Sequence, residues 1–188
     1  MNQGNHAKTK PSFLGRICAM LATVAIAFLA TSFSNEFLIQ AYAVPSGSME
    51  PTISTGERVI AEQISYYFRD VKPGDIIVFE DPENSNRNLL KRCIAVGGQT
   101  IDLQNGVTYI DGIALSEPYI YGKPTEPSTR SIAIINYPYT IPDDSIWVMG
   151  DNRTNSKDSR YFGPIATSAI KKRVFFTSWP LNNLGSVS

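Results

Sequence analysis

The chain has 188 residues, with 17 lysines and arginines balanced by 17 aspartates and glutamates. That length fits one ordinary domain with a modest attachment, and zero formal net charge excludes a general nucleic-acid binder, which needs a basic surface to engage phosphates. Two cysteines, Cys18 and Cys93, cannot build a disulfide framework, and with a single histidine, His6, they make no zinc site of usual composition.

Residues 1–16 read as a polar tail carrying Lys8, Lys10 and Arg16. No charge then falls between Arg16 and Glu36, and the run from Ile17 to Ala30, fading through Phe33, is apolar on every face. About 17 to 20 such residues at about 1.5 Å each just cover a hydrocarbon core. The pattern predicts a transmembrane anchor over 17–35. Basic residues before it and an acidic one after it place the tail in the cytoplasm. Two other readings compete. A cleaved signal peptide would use Ala41-Tyr42-Ala43 as its cleavage region, but those residues lie far downstream of Ala30. A buried core helix would be unusual in a small domain when apolar all round.

From Val44 onward short β-rich runs follow: Arg58–Ile64, Asp75–Glu80, Leu89–Val96, Thr100–Leu103, Val107–Ile110, Ile146–Met149 and Val174–Thr177. Turn chemistry separates them at Pro73-Gly74, Gly97-Gly98, Asn105-Gly106 and Asp111-Gly112. The expected product is an all-β domain of residues 36–188, mostly antiparallel and containing a β-meander, with helix limited to the anchor and short pieces such as Ala166–Lys171. Pro118–Asn136, rich in Pro, Ser and Thr, reads as a long surface excursion.

The lone histidine in the tail leaves the β domain without a Ser-His-Asp triad or a Cys-His pair on Cys93. A hydrolase here must use another base, and lysine is the usual substitute. A candidate nucleophile lies in Val44-Pro45-Ser46-Gly47-Ser48-Met49-Glu50-Pro51-Thr52-Ile53, where prolines limit the backbone at both ends and Gly47 permits close approach. The bland reading is a Ser/Gly linker. A candidate base lies in Asn88–Val96, where Lys91 and Arg92 interrupt an apolar strand and at most one of them points outward with ease. Burial among Leu89, Leu90 and Ile94 would lower a lysine from about 10.4 to about 8 at roughly 3 kcal/mol of bias against the charge. An edge strand with protective charges is the alternative. The third cluster runs from Met149 to Pro164, where Asp158 and Arg160 can pair and fix a polar loop. Calcium at Asp151, Asn152, Asn155 and Asp158 fits poorly, because the spacing is not that of an EF-hand and Arg153 and Lys157 oppose a cation.

Four ordered segments together resemble the type I signal peptidases, membrane-bound serine proteases with a Ser-Lys dyad. They are Pro45-Ser46-Gly47-Ser48-Met49 with Pro51-Thr52, Gly74–Phe79, Leu90–Gly97, and Gly150-Asp151-Asn152-Arg153 through Ser159–Gly163. The resemblance implies that Ser48 is the nucleophile and Lys91 the general base. It implies an oxyanion hole from the Ser48 N–H and the Ser46 hydroxyl, Ser156 orienting the lysine, and Asp158 with Arg160 bracing the site. Tyr42, Val44, Met49, Ile53 and Leu90 fall where the family lines shallow pockets for small residues, which implies an Ala-x-Ala preference. Thr154 departs from the pattern, standing where many relatives carry an acidic residue.

The implied substrates are secretory preproteins, cleaved after their signal peptides through an acyl-enzyme. No cofactor or metal is implied, and nucleic acid is not a partner. Membrane lipid is an expected partner and the protein translocation machinery a candidate one. The catalytic domain would face the outer side of the plasma membrane, or lie in an internal photosynthetic membrane. Aromatics such as Phe68 with Tyr66 and Tyr67, or Phe175, Phe176 and Trp179, would suit a bilayer interface, with a plain core role as the alternative. Two rivals remain at this stage: a self-cleaving Ser-Lys repressor-type protease, against which the apolar run speaks, and a non-enzymatic anchored β module.

Overall fold

The computed structural model describes residues 12–187, without the side chains at 30 and 32–37, and they fall into two compact units divided between Leu38 and Ile39. The first unit is one helix, α1 (Phe13–Phe37), 25 residues long. Among the described residues no helix is long and apolar enough to cross a membrane. The expected anchor, 17–35, lies within α1, but part of its run falls on positions whose side chains are outside the description; most of the tail, residues 1–11, is outside it as well.

The second unit is the expected mostly antiparallel β domain. Its strands are β1 (Ile39–Ala43), β2 (Arg58–Glu62), β3 (Ile76–Asp81), β4 (Asn84–Val96), β5 (Thr100–Gln104), β6 (Val107–Ile110), β7 (Ile113–Ala114), β8 (Tyr139–Thr140), β9 (Ser145–Met149), β10 (Ile165–Ala166), β11 (Ile170–Trp179) and β12 (Gly185–Ser186). A short helix, α2 (Ser159–Phe162), lies between β9 and β10. The main sheet runs β1-β2-β11-β3-β4-β9-β10 with β12 beside β11, and a smaller sheet runs β7-β6-β5-β8.

Strand β3 explains the layering. It is buried almost throughout and alternates between two cores, as a period of two requires. Ile76 and Val78 pack with Val44, Met49, Ile53, Val59, Ala61 and Val174. Ile77 and Phe79 pack with Cys93, Ile146, Val148 and Ile165 on the other side. A third cluster around Trp147 takes in Ile94 and Ala95 from β4, Ile101 and Leu103 from β5, and Met149 from β9, and so ties the two sheets together.

The meander forms where the turns demand it. Asn105 and Gly106 both have positive φ, 51° and 78°, the pair a two-residue hairpin between β5 and β6 needs. Three local expectations change. β1 pairs with β2 although it was not read as a strand, and β4 starts at Asn84, before Leu89. The helical piece expected at Ala166–Lys171 shrinks to one 3-10 turn at Thr167–Ala169, because Ile170 pairs with Phe79 at the start of β11 and the ladder outweighs local preference.

Candidate active site

The turn that carries Ser48 is held from below. After β1 the chain passes through Pro45 and Ser46 into a 3-10 turn, Gly47–Met49, while Met49 and Ile53 sink fully into the core. Those two apolar anchors leave Ser48 at the surface of the cluster, 9% exposed. Ser46 Oγ lies 3.5 Å from Ser48 Oγ.

Lys91 arrives from β4, where it stands opposite Ile77. Its Nζ is 2.7 Å from Ser48 Oγ and 3.0 Å from the Leu90 carbonyl, and the residue is 3% exposed. Burial pushes the amine down from 10.5 to about 8, against the opposing pull of Asp158, Asp151 and Asp81. Such an amine is substantially neutral in mildly alkaline solution and can accept the hydroxyl proton. Arg92 is buried too, so neither cation of the strand faces out, which agrees with the expectation of at most one. The reason is a partner: Arg92 donates to both carboxylate oxygens of Asp151 at 2.9 and 2.8 Å and stacks over the Tyr119 ring at 4.0 Å.

A depressed lysine implies a stability signature. Below pH 8 the folded state must either hold a charge it disfavours or give up a proton, which costs about 3 kcal/mol relative to an amine at 10.5. That penalty fades as pH rises from 8 toward 10.5, where the unfolded amine also becomes neutral. Lys91→Met, which keeps most of the packing, is therefore expected to be up to about 3 kcal/mol more stable than wild type at pH 6, with the gap closing toward pH 10.5. Urea unfolding at pH 6, 8 and 10 checks this; a gap that is constant with pH refutes it.

The loop after β9 closes the site. A Cβ on Gly150 would land on the Ser48 carbonyl and the Ser156 side chain, so this backbone contact is open to glycine alone. Asp158 is fully buried; it accepts from Gly150 N at 3.1 Å and is gripped by Arg160 at 2.9 and 2.8 Å. Burial alone would raise this carboxyl, but the hydrogen bonds and charge of Arg160 outweigh it and hold the pKa below 3.8. Ser156 is close by, near enough to Asp158 to help hold that pKa down, yet its Oγ is buried without a hydrogen bond of ordinary geometry. No hydrogen bond of ordinary geometry joins Ser156 Oγ to Lys91, whose Nζ contacts Ser48 Oγ and the Leu90 carbonyl. Asp151 and Asp158 are each spent on an arginine, which disposes of the calcium idea.

A cleft of about 340 Å³ opens beside the pair, lined by Tyr42, Val44, Met49 and Leu90 together with Ser46, Ser48 and Lys91. Ile53 is not on its wall; it sits beneath, in the same core cluster as Met49. The sequence did not single out a role for Asn152. Its N–H donates to the Ser48 carbonyl at 3.0 Å and its Nδ2 to the Gly47 carbonyl at 2.8 Å, so it clasps the turn that carries Ser48. Its sequence signals were its place in the polar loop and in the Gly150-Asp151-Asn152-Arg153 segment, neither of which assigns it this role.

A serine hydroxyl against a buried, easily deprotonated lysine, at the end of an apolar cleft, has the chemistry of a serine hydrolase that dispenses with histidine. Comparison with known proteins makes this specific. The family model for signal peptidase, peptidase S26, matches residues 17–179. A Synechocystis protein named Probable signal peptidase I-1 is 35% identical, covering 80% of this chain and 76% of its own length. The signal peptidase I of Leptolyngbya laminosa is 32% identical over 96% of this chain and 89% of its own. Signal peptidase IB of Staphylococcus aureus is also 32% identical, over 86% of this chain and 89% of its own. A crystal structure of a signal peptidase I from Enterococcus faecalis aligns with a TM-score of 0.46 and 28% identity, covering 56% of this chain and 97% of that one. The chain belongs to the signal peptidase family, peptidase S26, and is a protease of the signal peptidase I kind. That membership sets aside the non-enzymatic module.

Proposed function

We propose that this enzyme removes signal peptides from secretory preproteins at Ala-x-Ala sites through a Ser48–Lys91 dyad. The observation that carries it is the 2.7 Å contact between Lys91 Nζ and Ser48 Oγ, both buried at the end of an apolar cleft. Neutral Lys91 takes the Ser48 proton as Oγ bonds to the carbonyl carbon of the last signal-peptide residue. The Ser48 N–H and Ser46 hydroxyl stabilise the oxyanion, each donor worth about 3 kcal/mol. The scissile C–N bond then breaks, Lys91 returns its proton to the leaving amine, and the mature protein departs. Water, deprotonated by Lys91, cleaves the acyl-enzyme and frees the signal peptide.

The sheet supports an extended substrate. β1 ends the main sheet, and β4 pairs with β9 only from Arg92 onward, which leaves the Arg87–Leu90 edge without a strand on that side among the described residues. Both edges flank the cleft, so a peptide can add its backbone hydrogen bonds there while small side chains enter beside Val44, Met49 and Leu90. The enzyme is proposed to be anchored through Ile17–Phe33, with its β domain on the outer face of the membrane and the translocation machinery as neighbour. Exposed Phe68, Tyr67 and Trp179 support contact with lipid.

The test is a preprotein with an Ala-x-Ala site, incubated in detergent with wild type and with Ser48→Ala. Product masses placing the cut after the last alanine, in wild type alone, are expected. A cut at another bond, or one that survives Ser48→Ala, overturns the proposal.

A further inference from the structure

The excursion after β7 reaches the nucleophile turn through one side chain. Lys123 Nζ donates to Asn152 Oδ1 at 2.7 Å, and Asn152 Nδ2 donates to the Gly47 carbonyl at 2.8 Å. Gly47 and Ser48 share a peptide, so that carbonyl and the Ser48 N–H belong to one rigid plane and point in opposite directions. A pull on the carbonyl from one side fixes where the N–H points on the other. Asn152 N also donates to the Ser48 carbonyl at 3.0 Å, which holds the next peptide as well.

We propose that Lys123 is a positioning residue for the oxyanion hole, acting through Asn152 on the Gly47–Ser48 peptide; this rests on the Ser48–Lys91 reading above. Donor and acceptor chemistry dictates the chain's direction. A lysine only donates, so Oδ1 must face it; the Gly47 carbonyl only accepts, so Nδ2 must face that. Lys123 thus selects the amide orientation that Asn152 needs. Hydrogen bonds in series also polarise one another, by about 10–30% per bond, so a cation at the far end strengthens the Ser48 N–H as a donor.

Lys123 is held where this requires. Thr125, two residues on, is fully buried; its N–H donates to the Gly106 carbonyl at 2.9 Å and its Oγ1 accepts from Arg153 Nη1 at 2.6 Å. Lys123 N itself donates to the Ile120 carbonyl at 3.1 Å. Arg153, which also pairs with Glu117, donates to the Gly150 carbonyl at 3.0 Å. The excursion is therefore stitched to the same loop that carries Asn152.

The test measures kcat and KM on the Ala-x-Ala preprotein for wild type, Lys123→Met, Lys123→Arg, Asn152→Ala and the Lys123→Met/Asn152→Ala pair, with unfolding midpoints for each. An oxyanion donor matters in the transition state, so Asn152→Ala is expected to lower kcat about 100-fold and Lys123→Met about 10-fold, with KM within about twofold of wild type. Lys123→Arg should recover most of the loss. The double variant should match Asn152→Ala alone, and the pH midpoint set by Lys91 should not move. A Lys123→Met variant that folds normally and keeps wild-type kcat, loses only KM, or multiplies its loss with that of Asn152→Ala overturns the relay. If Ser48→Ala still cleaves, the dyad reading fails and takes the relay with it; if Ser48→Ala is dead, these losses are charged to the relay alone.

Discussion

Ser48→Ala and Lys91→Ala are each expected to lower kcat/KM about 10⁴-fold or more, and the double variant to be no worse than either single one. In the proposed dyad the two side chains act on one proton. Without the lysine, a serine hydroxyl is a poor nucleophile near neutral pH; without the serine, a neutral amine has nothing to activate. Removing the second partner from a pair already broken therefore changes little, and the losses do not add. What survives would be the contribution of the oxyanion donors and of binding. The pH profile carries the same logic. With the Lys91 amine at about 8, wild-type kcat/KM should climb about tenfold per pH unit below that value and level off above it. The residual rate of either single variant should lack that limb. Rates and product masses from pH 6 to 10 check both statements, and losses that multiply in the double variant would show that the two residues do not work as a unit.

The pair was legible through the resemblance of four ordered segments to the type I signal peptidases; taken singly, Pro-bracketed Ser-Gly-Ser reads as well as a linker and Lys91-Arg92 as protective charge on an edge strand. The single histidine, placed in the tail, added only that a base other than histidine is needed. The meander was equally legible, since Asn105-Gly106 and Asp111-Gly112 dictate turns by their own backbone preferences. Partners distant in sequence were not. Arg92 is buried because Asp151, 59 residues away, receives it, and no periodicity in β4 reports that. Asn152 and Lys123 lie in stretches that look like solvated loops, and their roles appear only when Gly150 folds against the Ser48 carbonyl. Ser156 is a further case: its place in the motif implies a part in orienting Lys91, and its buried Oγ has no hydrogen bond of ordinary geometry. Local chemistry is written along the chain, whereas pairing across the sheet is set by packing.

Asp158→Asn is expected to cost about 3–5 kcal/mol of stability at neutral pH, because it leaves the Arg160 charge, 7% exposed, without its counter-ion. The substitution keeps size and shape, so the loss reports charge and hydrogen bonding, not a cavity. Linkage fixes how the gap depends on pH. The Asp158 pKa is held down in the folded state, so its stabilisation is present above the ordinary carboxyl value of 3.8 and is lost as pH falls through the lower folded value. Wild type and variant should converge in acid, and urea unfolding between pH 3 and 7 would show it. A second consequence reaches the chemistry. Asp158 is the largest of the charges that raise the Lys91 amine against its burial, so removing it should let that amine fall further. The rising limb of kcat/KM should then move to lower pH in whatever fraction of Asp158→Asn is folded. A limb that moved to higher pH, or a variant as stable as wild type at pH 7, would mean that Asp158 and Arg160 are not the counter-ions that set the electrostatics of this site.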